Sequence, residues 1–206
     1  MFASPKEPAI TSSDRGTLWL LVVVGAAIAV FTAVQGVVRI IELARNDGVV
    51  VPAVFRGTVA DAPLGPGGAP VEVELERATL HVASLPPAAV GAGILEVVTV
   101  IASVTLGMAL LILLTRELLA GRVFSPRNTR LVMTAGITVI AGLALAPFFG
   151  NMVANSAFAD LSDRSFDNVV MSVDLQTLAV STFVAIFISA VFTVGDRLQR
   201  DQEGLV

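Results

Sequence analysis

Cysteine and tyrosine are missing from this 206-residue chain, and histidine, tryptophan and lysine each occur once. Without cysteine there is no disulfide, thiolate metal site, cysteine nucleophile or lipid-anchored cysteine. Charge is scarce as well, at 15% of residues against roughly 25% in an average soluble domain. The 13 Lys and Arg are outnumbered by 17 Asp and Glu, which excludes a nucleic-acid binder of the usual basic kind. What remains is apolar: 55% of residues are hydrophobic and the mean hydropathy is +0.84. That balance points to a protein whose solvent is the lipid bilayer.

The uncharged gaps locate the crossings. Arg15 and Arg39 bracket 23 uncharged residues, Glu96 and Arg116 bracket 19, Arg130 and Asp160 bracket 29, and Asp174 and Asp196 bracket 21. A helix needs about 20 apolar residues to cross the hydrocarbon, so each gap holds one span. The expected spans are 18–38, 88–115, 131–149 and 175–195, joined by outer loops 44–87 and 150–174 and a cytoplasmic turn 116–130, with a cytoplasmic tail 196–206. The first run is far longer than the ~7–15 apolar residues of a cleaved signal peptide, and it reads as an uncleaved span.

Orientation follows from Lys and Arg. Lys6, Arg15, Arg116, Arg122, Arg127, Arg130, Arg197 and Arg200 all fall on the side that holds both termini. The positive-inside rule makes that side the cytoplasm. The sequence thus predicts a multi-pass membrane protein with both termini cytoplasmic. Its fold class is all-α: a four-transmembrane-helix bundle with a small extracytoplasmic β-hairpin in the first outer loop.

Local signals sharpen this. The second helix should begin after Pro86-Pro87 and run to about Ala120. Gly121 suits a left-handed helix-ending residue, and Ser125-Pro126 suits an N-cap followed by proline at the first helical position. "GRVFS" is then a short connection between antiparallel helices. Its arginines either anchor lipid headgroups or dock a cytoplasmic protein partner.

Each span also carries small or hydroxyl residues at four-residue spacing: Gly25, Ala29 and Ala33; Thr99, Ser103 and Gly107; Gly142, Ala146 and Gly150; Ser181, Ala185, Ser189 and Thr193. In lipid, helices associate through such close-approach faces and weak interhelical hydrogen bonds. The stripes are expected to form the seam of one bundle, or a homo-oligomer contact. Pro147 is expected to bend the third helix.

Counted from the cytoplasmic charges, Arg39 and Glu96 fall at similar depth near the outer boundary, and they are expected to be close enough to pair. In the first outer loop, "VVVPAVFRGTVA", "APLGPGGAP" and "VEVELERATLHV" read as strand, turn and strand. Its Val/Leu face should pack on the helix ends or on another copy, because a lone hairpin is marginal. Glu72, Glu74 and Glu76 share the other face, either solvated or available to a cation. His81 has no ligand partners in its vicinity. Phe158, Leu161 and Phe166 suggest a short amphipathic segment in the second outer loop.

"LLAGRVFSPRNTRLV" and the C-terminal "VGDRLQRDQEGLV" resemble the bacterial membrane family catalogued as domain of unknown function 2975. Its members are similar in having four spans, a G-x-x-F-[ST]-x-x-N turn and an L-x-x-D-x-E-G-L-V tail. Those positions here are Gly121, Phe124, Ser125 and Asn128, then Leu198, Asp201, Glu203, Gly204, Leu205 and Val206. The resemblance implies a plasma-membrane protein without an assigned activity, whose genes often neighbour small helix-turn-helix regulators. Leu198 and Leu205, one heptad apart, belong either to a frayed terminus or to a peptide captured by a partner.

No span contains His, Lys or Cys, and phosphate-loop and dinucleotide fingerprints are missing. The sequence therefore predicts a non-enzymatic regulatory, sensory or immunity-type interaction component without cofactor, metal or nucleic acid. Its contacts to lipid or partner would come from Arg116, Arg122, Arg127, Arg130 and the tail residues Glu203, Gly204, Leu205 and Val206. The alternative is a small homo-oligomeric transporter or channel that uses Glu96.

Overall fold

The structure is a computed structural model that describes residues 12–163 and 173–203. Four long helices dominate it: α1 (Ser12–Arg45), α2 (Pro87–Leu119), α3 (Pro126–Leu161) and α4 (Leu175–Glu203). Strands β1 (Val49–Ala62) and β2 (Val71–Val82) lie between α1 and α2 and form a two-stranded antiparallel sheet. The helices contain 34, 33, 36 and 29 residues, and each is long and apolar enough to cross a membrane. Their outward faces are apolar: Trp19, Phe31, Ile137, Phe183 and Phe187 are all exposed.

The sequence reading of α2 agrees with the helix observed, which starts at Pro87 and ends at Leu119. α3 differs. It continues to Leu161, so residues 150–161 are helical where an outer loop was expected. Asp160 closes the uncharged gap, but a charge does not end a helix. Pro147 sits inside α3 without terminating it. Phe158 belongs to this helix, Leu161 is exposed on its last turn, and Phe166 lies outside the described residues.

The chain divides into two compact units. One comprises Met1–Gln35, Val100–Leu143 and Leu175–Val206, and the other Gly36–Thr99 and Ala144–Asp174. In the first, successive helices meet at small residues. A Cβ on Gly25 would touch Met108 and Ile112 of α2, one on Gly142 would stand 2.6 Å from the Ser103 hydroxyl, and one on Gly136 would stand 2.9 Å from Cβ of Ala185. Ser103, Gly142 and Ala185 are stripe residues, whereas Gly136 is not, and a Cβ on the stripe residue Gly107 would meet nothing within 4 Å among the described residues. The stripe hydroxyls behave differently from expectation. Ser189 donates to the carbonyl of Ala185 and Thr193 to that of Ser189, at 2.7 and 2.8 Å. A hydroxyl can reach the carbonyl one turn back without a partner helix, and these two are satisfied within α4.

The second unit holds the hairpin and its core. Val49, Val51 and Ala53 of β1, Val82 of β2, Leu43 of α1, Leu85, Ala89 and Ala92 around the start of α2, and Val153, Ala157 and Phe158 of α3 are buried together. The ring of Phe158 meets Phe55 of β1 edge-on at 5.0 Å. Burying a Val or Leu side chain contributes about 1.5–3 kcal/mol, so Leu43, Val49, Val51, Val82 and Leu85 together contribute on the order of 10 kcal/mol. That is ample to fix a hairpin which alone would be marginal.

Pairing runs from Val49↔Val82 to Val54↔Arg77, then resumes at Thr58↔Leu75. The residues between, Phe55 to Gly57, form a bulge opposite Glu76, and Gly57 takes the left-handed φ of 62° that the bulge requires. The bulge reverses which residues face inward. Val73 and Leu75 are the partly covered positions on one side of it, and Ala78 and Leu80, partly covered, with the buried Val82 on the other. Glu72, Glu74 and Glu76 are exposed, as is His81.

The hairpin is closed at its base by Asn46. Its amide donates to the carbonyl of Leu85 at 2.9 Å, and its side-chain oxygen accepts from the Leu85 N–H at 2.7 Å. Asn46 adopts φ 50°, a left-handed conformation that Asn tolerates better than most residues.

Candidate functional site

Two places gather polar side chains, one in each unit. The first is the turn between α2 and α3. Gly121 takes φ 78°, the N–H of Gly121 donates to Leu118 at 2.9 Å, and that of Arg122 donates to Glu117 at 3.1 Å. This is a Schellman motif. Ser125 then caps α3: its hydroxyl oxygen accepts from the N–H of Asn128 at 3.2 Å, with Pro126 in the first helical position.

Asn128 is fully buried. Its amide donates to the carbonyls of Arg122 and Val123, at 2.6 and 2.9 Å, and so holds the connection against the first turn of α3. The ring of Phe124 meets Phe192 of α4 edge-on at 5.8 Å. It lies against Gly195, where any Cβ would overlap the ring. All four residues of the turn motif named from the sequence therefore have a part in building the turn.

The arginines of this turn are not equivalent. The Glu117 side chain, only 9% exposed, pairs with Arg122 at 2.7 Å and with Arg127 at 2.9 Å. The hydrogen bond that Arg122 donates to Glu117, and then the charge of that carboxylate, hold the Arg122 guanidinium more firmly protonated than usual. Two of the four arginines expected to face lipid or a partner thus bind a carboxylate of their own chain. Arg116 and Arg130 are exposed and make no ion pair among the described residues. Of the tail residues, Glu203 ends α4, while Gly204, Leu205 and Val206 lie outside the described residues.

The second place is an open cavity of about 470 Å³ beneath the hairpin. Arg39 of α1, Arg77 of β2 and Glu96 of α2 line it, together with Leu43, Val51 and Val153. Arg39 donates to the carbonyl of Val50 at 2.6 Å and pairs with Glu42 at 3.2 Å. The structure thus brings Arg39 and Glu96 to one cavity, but no direct ion pair joins them. Arg39 is drawn instead to a carboxylate one turn along its own helix and to the adjacent strand. Glu96 lies against α3 at Gly150, where a Cβ would stand 2.8 Å from its Oε1. The missing side chain of Gly150 makes the room that this carboxylate occupies.

Sequence reasoning missed Glu117, Asn46 and Arg77, and it read Gly150 only as a small residue of the α3 stripe. Glu117 and Arg122 are five residues apart, which pairs nothing on a continuous helix; the left-handed Gly121 is what folds one onto the other. Arg77 stands where the alternation of "VEVELE" breaks, and that break marks the bulge. No protein-family model matches the chain, and no curated protein or solved structure matches it either.

Proposed function

We propose that the protein is a multi-pass plasma-membrane protein of bacterial type that works by recognition and carries no chemistry of its own: a sensory, regulatory or immunity-type component. In this reading the hairpin unit faces outward, and the turn at Glu117–Asn128 lies in the cytoplasm with both termini. The apolar outer faces of all four helices support the bilayer placement, and the Lys and Arg asymmetry supports the orientation. The resemblance of the turn and tail to domain of unknown function 2975 fits the same picture.

One observation carries the functional part. The hairpin between α1 and α2 is packed into a buried core that it shares with the adjoining helix ends and closes on Asn46 and Leu85. Joining two antiparallel helices needs only a few residues; a braced hairpin with a cavity beneath it suits a recognition surface.

The test is co-purification from native membranes in mild detergent. Three chains are compared: the full chain, one ending at Gln199, and one with residues 50–81 replaced by a short Gly/Ser linker. A stoichiometric partner lost on either change, with membrane insertion intact, is the expected result. Self-association alone, unchanged by both, would refute this reading. It would favour the second one, an oligomeric transporter, for which the placement of Glu96 on the cavity is the supporting observation. In that case Glu96→Gln should abolish transport.

A further inference from the structure

The cavity is lined by charges of both signs, Arg39, Arg77 and Glu96. Arg39 is partly compensated by Glu42 and spends a second N–H on Val50. The side chains of Arg77 and Glu96 form no hydrogen bond or ion pair among the described residues. A guanidinium and a carboxylate thus line one cavity with their hydrogen-bonding capacity unspent. A simple anion there would face Glu96, and a simple cation would face Arg77 and Arg39. Only a ligand bearing both charges satisfies both walls.

We infer that this cavity binds an ammonium–phosphate zwitterion of the phosphoethanolamine type. Its phosphate sits on the Arg77 guanidinium and the remaining N–H groups of Arg39, and its ammonium sits on Glu96. Guanidinium forks match phosphate oxygens in geometry and in charge. An ammonium with three N–H donors suits a carboxylate lodged in the notch at Gly150. The volume of about 470 Å³ lies within the ~300–1,000 Å³ of small-molecule sites.

The same headgroup chemistry has two sources, a membrane lipid or a soluble phosphoethanolamine. Arg39 and Glu96 close the apolar runs of α1 and α2, which is the level of lipid headgroups. This rests on the proposed membrane placement and names the ligand that the hairpin unit would recognise.

The experiment uses the full chain in mild detergent and native mass spectrometry against equal amounts of phosphatidylethanolamine, phosphatidylcholine and phosphatidylglycerol. The choline lipid keeps the phosphate but has no ammonium N–H, and the glycerol lipid lacks the cation. A preference of about tenfold for the ethanolamine lipid is expected, corresponding to one strong charge-assisted contact. Glu96→Gln should bring it to parity, and Arg77→Gln should weaken retention of all three lipids by a similar factor, while Glu72→Gln on the exposed face should do neither. Circular dichroism of each variant confirms folding, and Arg77, being exposed, is the safer of the two.

In a parallel arm, soluble phosphoethanolamine is titrated by calorimetry into delipidated protein. Binding there without a lipid preference, lost in both variants, supports the assignment with a soluble source. Equal retention of the three lipids with no soluble binding overturns it, as does a preference that survives Glu96→Gln or a retention that Arg77→Gln leaves unchanged. If that happens while the full chain still captures its partner, the recognition reading stands and only the ligand assignment falls.

Discussion

Asn128 should be the most costly polar residue to remove from the turn. Asn128→Ala deletes two hydrogen bonds, to the carbonyls of Arg122 and Val123, each worth about 1 kcal/mol net. If water cannot enter the space left by a fully buried side chain, each abandoned carbonyl costs about 1–3 kcal/mol instead. The expected loss is therefore about 2–5 kcal/mol. Asn128→Asp should be worse, because it replaces two donors with a carboxylate facing two carbonyl oxygens. The Asn128 Oδ1 atom has no hydrogen-bond partner among the described residues, so the effect is expected to come through the amide nitrogen. The assay is equilibrium unfolding of the purified chain in mixed micelles, followed by circular dichroism. A loss below about 0.5 kcal/mol for Asn128→Ala, or an aspartate variant as stable as the native chain, would refute the reasoning.

Three other predictions follow from close contacts. Gly142→Ala should lower stability by about 1–2 kcal/mol in the same assay: overpacking against Ser103 costs about 1–3 kcal/mol, and the gain in helix propensity offsets up to about 1 kcal/mol. Gly91→Ala is the control, since a Cβ there meets nothing within 4 Å, and it should be neutral or slightly stabilising. Asn46→Ala removes both bonds at the hairpin base and should speed hydrogen exchange selectively in Gly48–Leu85, leaving the rates within α4 unchanged. Glu117→Gln releases Arg122 and Arg127 and should increase retention of anionic lipid, an increase that added salt abolishes.

The parts of this fold that were legible are those fixed by local chemistry. Pro87 started α2, Gly121 ended it, and Ser125-Pro126 started α3, because each of those residues does one thing to the backbone wherever it occurs. "VEVELERATLHV" is the whole of β2, because alternation reports a half-buried strand directly. Reading charge as a boundary failed for α3. The helix carries Asp160 past the end of the apolar run, and its far end is held by Phe158 packing on Phe55, a contact with a strand about a hundred residues earlier.

The cavity was half legible. Depth counting brought Arg39 and Glu96 to one place, yet it could not show that Glu42 and Val50 compete for Arg39. Arg77 arrives there only through strand register, which the bulge shifts. The pairing of Glu117 with two arginines depends on the direction of the chain after Gly121, which spacing alone does not encode.

The bonds between Asn46 and Leu85 give the hairpin a narrow neck: the chain leaves α1 and returns to α2 at one point. Below the bulge, Val49, Val51 and Val82 tie it to the helices, whereas the exposed tip around Pro66–Gly68 contributes no buried residue. Loop-closure entropy changes only slowly with length, so residues added or removed in pairs at the tip would keep the register while leaving the neck undisturbed. The distal hairpin is in this sense a replaceable head on a fixed mount. Evolution, or an engineer, can vary what it presents without renegotiating how the four helices fold.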